Sequence, residues 1–180
     1  MILTDTEILK NIDSGNISII PYNRDRLGTN SYDLSMSNIL GVYTGMTLDV
    51  KEDNNFQIFP IPEEGFLLQP GELYIGSTVE YTDSGNLCPQ IEGKSSLARL
   101  GMSIHITAGF GDIGFKGHWT LEITVVKPLR IYSGMLVAQI FFFKPFGEVS
   151  IPYNKKSNAK YCNENTIPMP SAMWKNFIQK

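Results

Sequence analysis

From Ile17 to Ile151 the chain alternates short apolar runs with glycine, proline and asparagine, and the runs have strand length rather than helix length. This pattern predicts strands over Ile17–Ile20, Ser31–Met36, Ile39–Tyr43, Phe56–Phe59, Phe66–Leu68 and Leu73–Tyr81. It predicts further strands over Gln90–Glu92, Ser103–Thr107, Gly117–Val126, Leu129–Tyr132 and Met135–Phe143. Many short strands at close, turn-marked intervals define a mainly β domain: a sandwich, jelly roll or barrel. No helical runs alternate with them, which argues against a Rossmann-like sheet.

Helical periodicity is confined to three places. Thr4-Asp5-Thr6-Glu7 has the form of a capping box, with Thr4 as cap and Glu7 reaching back. Ile8, Leu9 and Ile12 follow at helical spacing, and Gly15 stands where that helix would stop. Serines lead and Gly101 closes a helical turn within Lys94–Leu100, and Ser171–Phe177 forms another turn anchored by Trp174 and Phe177. With no internal repeat and no second apolar block, residues 1–180 read as one domain.

Composition narrows the function. The 180 residues are 42% hydrophobic and 18% charged, with a net charge of −3. That balance argues against a general nucleic-acid or membrane-surface binder, although a local cluster of cations would suffice for a small anion. No run is long enough to span a bilayer, since the longest, Met135–Phe143, is interrupted by Gln139. Cys88 and Cys162 lack any CxxC spacing and no signal peptide is evident, so free thiols in the cytoplasm are expected.

The stretch Gly93–Glu122 concentrates the candidate chemistry. It holds Ser95, Ser96 and Arg99, then a glycine-punctuated loop around Asp112, then a strand bearing Glu122. In that strand Trp119, Leu121, Ile123 and Val125 share one face, while Thr120, Glu122 and Thr124 share the other. The strand alone would make Glu122 an ordinary surface carboxylate. Serines opening a helical turn and glycines that expose backbone point instead to a phosphorylated, hydrogen-bonding ligand. His105 and His118 form no zinc motif with the cysteines: a zinc deaminase needs H-x-E followed by P-C-x-x-C. Zinc hydrolysis is therefore disfavoured, and His105, between Ile104 and Ile106, reads as structural.

The blocks GKSSLARLG, TAGFGDIGFKG and TLE, in this order and spacing, resemble the dCTP deaminase family of the trimeric dUTPase-like superfamily. The resemblance extends through MILTDTEI, SYDLSMSN, PGELYIGSTVE and SGMLVAQIFF to PYNKKSNAKY, nearly the whole chain. It implies a distorted jelly-roll (β-clip) subunit with a short N-terminal helix, assembled as a homotrimer with sites at subunit interfaces. It also implies zinc-free deamination of dCTP to dUTP and ammonia, with Mg2+ on the triphosphate. By the same matching Glu122 is the proton-transferring carboxylate, and Ser95 and Arg99 hold the water. Lys94, Ser96, Tyr153 and Lys160 hold the triphosphate, with Glu164 where a phosphate-contacting glutamine is usual. Asp112 meets the sugar, Thr120 with Glu122 lines the base pocket, and Ala108 is a further substrate-binding residue. dUTP is a second candidate substrate and dTTP a candidate inhibitor.

Three departures qualify this picture, the first being Glu164, whose negative charge would face a triphosphate. Lys94 replaces the usual arginine, exchanging a forked donor for a point charge. The loop Ala108-Gly109-Phe110-Gly111-Asp112 lacks the His-Arg pair of simple deaminases and is similar to the loop of bifunctional enzymes that carry dCTP to dUMP and pyrophosphate. Release of dUTP is the leading expectation and the bifunctional reaction the alternative. A plain dUTPase and a non-catalytic nucleotide-binding module complete the set, and a dUTPase would leave Glu122 without work.

Overall fold

The computed structural model of the protein describes residues 1–161 and 166–178. Every predicted strand is present among them: β1 (Ser18–Ile20), β2 (Tyr32–Ser35), β3 (Ile39–Tyr43), β4 (Phe56–Pro60), β5 (Phe66–Leu68), β6 (Tyr74–Asp83), β7 (Cys88–Gly93), β8 (Met102–Ser103), β9 (Lys116–Val125), β10 (Leu129–Ile131) and β11 (Leu136–Phe143). The larger sheet runs β4-β3-β6-β9-β8, with β1 paired to the far end of β6. A second sheet runs β2-β11-β7, and β10 and β5 form a separate ribbon. One apolar cluster takes Leu121 and Ile123 from the larger sheet and Leu34, Ile91, Ile140 and Phe142 from the smaller, so the core joins the two. Period-two alternation in β9 is what places its apolar face there.

A buried carboxylate also clasps the sheets. Glu80 on β6 is fully buried. Its Oε2 accepts the Ser35 N–H at 2.7 Å, and its Oε1 accepts the Ser35 hydroxyl at 2.6 Å and the Arg26 guanidinium. Burying a charge is tolerable only with such partners.

Two local expectations need correction. Helix α1 (Asp5–Asp13) forms and buries Ile8, and Gly15 follows it at φ 75°, but the capping box does not close. The Thr4 hydroxyl lies 3.2 Å from that of Thr6, and Glu7 turns to Lys10 Nζ at 2.5 Å. A cation three residues on is a stronger partner for the carboxylate than a neutral backbone N–H. The predicted strand Ser103–Thr107 contracts to Met102–Ser103, which pairs with Val125 and Thr124. Beyond it the Ile106 N–H turns to the Glu122 carboxylate and the His105 ring to Glu92, so side-chain acceptors replace a ladder. The turn within Lys94–Leu100 is helix α2 (Ser95–Ala98), and that near the C-terminus is a 3-10 turn over Met173–Asn176. Among the described residues no helix is long and apolar enough to cross a membrane.

Candidate active site

Because β9 alternates, Thr120 and Glu122 project from the sheet side opposite the core, register against Ser77 and Ile75 of β6, and are half-buried rather than solvent-exposed. They line a cavity of about 540 Å3 with Ala108, Phe110, Gly111 and Asp112 of the glycine loop. Phe115 and Trp119, with ring centroids 4.7 Å apart, continue the wall with Tyr153 and Tyr161. Tyr43 and the segment Met169–Ser171 close it. That size lies in the range of small-molecule sites, roughly 300–1,000 Å3.

Burial pushes the Glu122 carboxyl above its ordinary pKa, while the Ile106 N–H and the nearby His105 ring partly offset it. A carboxylate raised in this way is suited to taking and returning a proton near neutral pH. His105 is thus more than packing. Its Nε2 lies 3.1 Å from Glu92 Oε2, and Glu92 Oε1 accepts the Gln90 amide at 2.9 Å. The other ring nitrogen, Nδ1, is buried without a hydrogen-bond partner among the described residues.

The glycine loop lies along the free edge of β7. Ile91 N–H donates to Gly109 O at 2.8 Å, and Gly111 N–H donates to Pro89 O at 2.8 Å. A Cβ on Gly109 would sit 2.7 Å from Ile91 O, and one on Gly111 would sit 2.4 Å from the Trp119 ring. Close approach, not φ, demands glycine at both positions. The Asp112 carboxylate beyond them is mostly exposed, with Lys156 Nζ 3.7 Å away.

Tyr153 supports the far wall. Its hydroxyl accepts the N–H groups of Lys160 and Tyr161 at 3.1 and 3.0 Å, which fixes the turn carrying Lys160. Glu164 lies outside the described residues. The tail then crosses the cavity mouth: Met169 N–H points to the Thr120 hydroxyl at 3.5 Å, and Tyr161 OH accepts Ala172 N–H at 3.0 Å.

The remaining predicted residues do not join them. Ser95, Ser96 and Arg99 are exposed on α2, and none lines the cavity. The Arg99 guanidinium donates to the Ser95 carbonyl at 3.0 Å, and Lys94 Nζ pairs with Asp33 Oδ1 at 2.6 Å. The chain therefore assembles Glu122, Thr120, Ala108, Asp112 and Tyr153, and holds Lys94, Ser95, Ser96 and Arg99 elsewhere. Sequence reading missed Tyr43, Phe115, Trp119, Tyr161 and Glu92. The aromatic density of the chain hinted at the rings, but nothing local marked Glu92. Among the described residues no three of His, Cys, Asp and Glu cluster as metal ligands.

Comparison with known proteins identifies the family. A profile of the dCTP deaminase-like family matches residues 2–145. A protein of Leptospira biflexa serovar Patoc, "dCTP deaminase, dUMP-forming", is 49% identical over 180 residues, covering 100% of both chains. One of the same name from Clostridium beijerinckii is 48% identical over 177 residues, 98% of this chain and 99% of its own. The crystal structure of 2'-deoxycytidine 5'-triphosphate deaminase from Agrobacterium tumefaciens superposes with a TM-score of 0.60 at 21% identity. That match covers 78% of this chain and 47% of the solved one, and it speaks for the fold. The fold is thus the mainly β one of that deaminase structure. The chain belongs to the dCTP deaminase-like family.

Proposed function

We propose that this protein hydrolyses the 4-amino group from dCTP and then releases pyrophosphate, so that dUMP is the final product. The observation that carries the reading is Glu122, a half-buried carboxylate of raised pKa in a cavity of nucleoside size. The names of relatives near 49% identity, together with the Ala108-Gly109-Phe110 loop, favour dUMP over dUTP as the product released. This moves the alternative from the sequence ahead of the leading expectation.

In the first reaction Glu122 takes a proton from water as the oxygen bonds to C4 of the base. The same carboxyl passes that proton to N3 of the base, then takes the proton of the new C4 hydroxyl and hands it to the departing nitrogen; the C4–N bond breaks as the C4 carbonyl forms, and ammonia leaves. The exposed position of Ser95 and Arg99 supports a site completed by a neighbouring subunit: their hydroxyl and guanidinium would fix the water and the developing charge. A homotrimer built on such shared sites also brings Lys94 and Ser96 to the triphosphate beside Tyr153 and Lys160. Asp112 meets the sugar hydroxyl, and Ala108 and Thr120 face the base. In the second reaction water attacks the α-phosphorus, the bond to the bridging oxygen breaks, and pyrophosphate departs. Magnesium belongs to this reading as the partner of the phosphates. The dispersed carboxylates fit an ion held mainly by phosphate oxygens and water rather than by a protein cage.

The test is product analysis with dCTP and dUTP as separate substrates in the presence of magnesium. The proposal expects dUMP, pyrophosphate and ammonia in equal amounts from dCTP. Accumulating dUTP would limit the enzyme to deamination. Tight dCTP binding with no deoxyuridine product would leave a nucleotide-binding module.

A further inference from the structure

Three hydrogen-bonded side chains behind the cavity have no part in the reactions above. Gln90 and Glu92 are two residues apart on β7 and so share one face of it. The Gln90 amide donates to Glu92 Oε1 at 2.9 Å, which fixes the carboxylate, and Glu92 Oε2 engages His105 Nε2 at 3.1 Å. The other ring nitrogen, Nδ1, is buried and unpartnered among the described residues. The next residue, Ile106, has an exposed side chain, so its own packing does little to hold it. Yet its backbone N–H is the group that reaches the Glu122 carboxylate.

We propose that Glu92 is a positioning residue: through His105 it holds the Ile106 backbone beside Glu122 and thereby sets the orientation of that carboxylate. The inference rests on the deaminase reading for its kinetic consequences, but the geometry is independent of it. The same strand holds the glycine loop by its backbone at Ile91 and Pro89. β7 thus fixes the loop through main-chain bonds and the general base through a side-chain string.

The groups facing Glu122 can be named element by element. From β6 the registered neighbour is Ile75, which carries no charge. From β8, Ser103 stands opposite Thr124. From the segment after β8 come the Ile106 N–H and the His105 ring, both of which favour the ionised carboxyl against the burial that opposes it. Cutting the string at Glu92 loosens those two favourable contacts and leaves burial opposed only by the Glu122 backbone N–H, so the carboxyl should titrate at higher pH.

Two variants test this, Glu92→Ala and Glu92→Gln, the second retaining a hydrogen-bonding group for His105 Nε2. Each is compared with wild type by steady-state dCTP kinetics across pH and by 13C NMR titration of the Glu122 carboxyl. Glu92→Ala should lower kcat roughly tenfold through misplacement of the base. KM should stay within about twofold, because substrate contacts are untouched. The acid limb of kcat and the Glu122 titration should both move to higher pH, and Glu92→Gln should recover most of kcat. Wild-type kcat and titration in Glu92→Ala would overturn the proposal. So would equal losses in both variants with the titration unmoved, which would mark a merely structural residue. If the wild type itself yields no deoxyuridine nucleotide, the deaminase reading fails separately. The carboxyl titration then still decides the role of Glu92.

Discussion

The hydroxyl of Tyr43 on β3 accepts the backbone N–H of Ser171 at 2.8 Å, joining a wall of the cavity to a segment 128 positions later in the chain. With the contacts at Thr120 and Tyr161, it fixes the tail across the mouth of its own subunit's cavity. Tyr43→Phe removes one hydrogen bond, worth about 1 kcal/mol, which corresponds to roughly a fivefold rise in the open population. Limited proteolysis should cut the tail several-fold faster than in wild type, with nucleotide KM raised by a similar factor.

Glu122→Gln should abolish deamination while leaving the fold intact, as product assays and circular dichroism would record. Its effect on stability depends on pH in a defined direction. The folded carboxyl titrates above its unfolded value, so burial penalises the charged form. That penalty is absent while both states are protonated, grows as pH rises from the unfolded pKa to the folded pKa, and is complete above it. Glu122→Gln should therefore melt at a higher temperature than wild type at neutral pH. The advantage should vanish below the ordinary glutamate value of 4.5.

The proposed sharing of the site between subunits makes a mixing prediction. Glu122→Gln and Arg99→Ala homo-oligomers should each be inactive. When they are mixed, dissociated and reassembled, some interfaces recover Glu122 from one chain and Arg99 from another. Deaminase activity should reappear in the mixture, and its complete absence would place both residues in one subunit's site.

Arg26→Met should destabilise strongly, because Glu80 would remain fully buried with its Arg26 ion pair lost. Breaking a buried pair typically costs about 3 kcal/mol. At this chain length that corresponds to a fall in Tm of roughly 6–12 °C, measurable by calorimetry.

The strands were legible because each apolar run matched its burial, as β9 illustrates from Trp119 to Val125. Ile104 and Ile106 also alternate, but there the pattern misled. Ile104 is buried and Ile106 exposed, since the backbone at Ile106 serves Glu122 instead of a sheet. Neighbourhood in sequence misled in a second way. Ser95, Arg99 and Glu122 lie within one stretch of chain, yet α2 sits outside the cavity that Glu122 lines. The Arg26–Glu80 clasp joins positions 54 apart and the Tyr43–Ser171 bond positions 128 apart. No local periodicity encodes contacts of that range, and only the closed fold displays them.

The bonds from Ile91 and Pro89 to the glycine loop have one more consequence. β11 occupies one side of β7, and without the loop the other side would present unpaired peptide groups to any passing chain. Exposed edges of that kind template aggregation. Residues Gly109–Gly111 therefore guard solubility as well as shaping the cavity. Substitutions meant to redesign the base-binding loop should be screened for self-association before any loss of turnover is ascribed to chemistry.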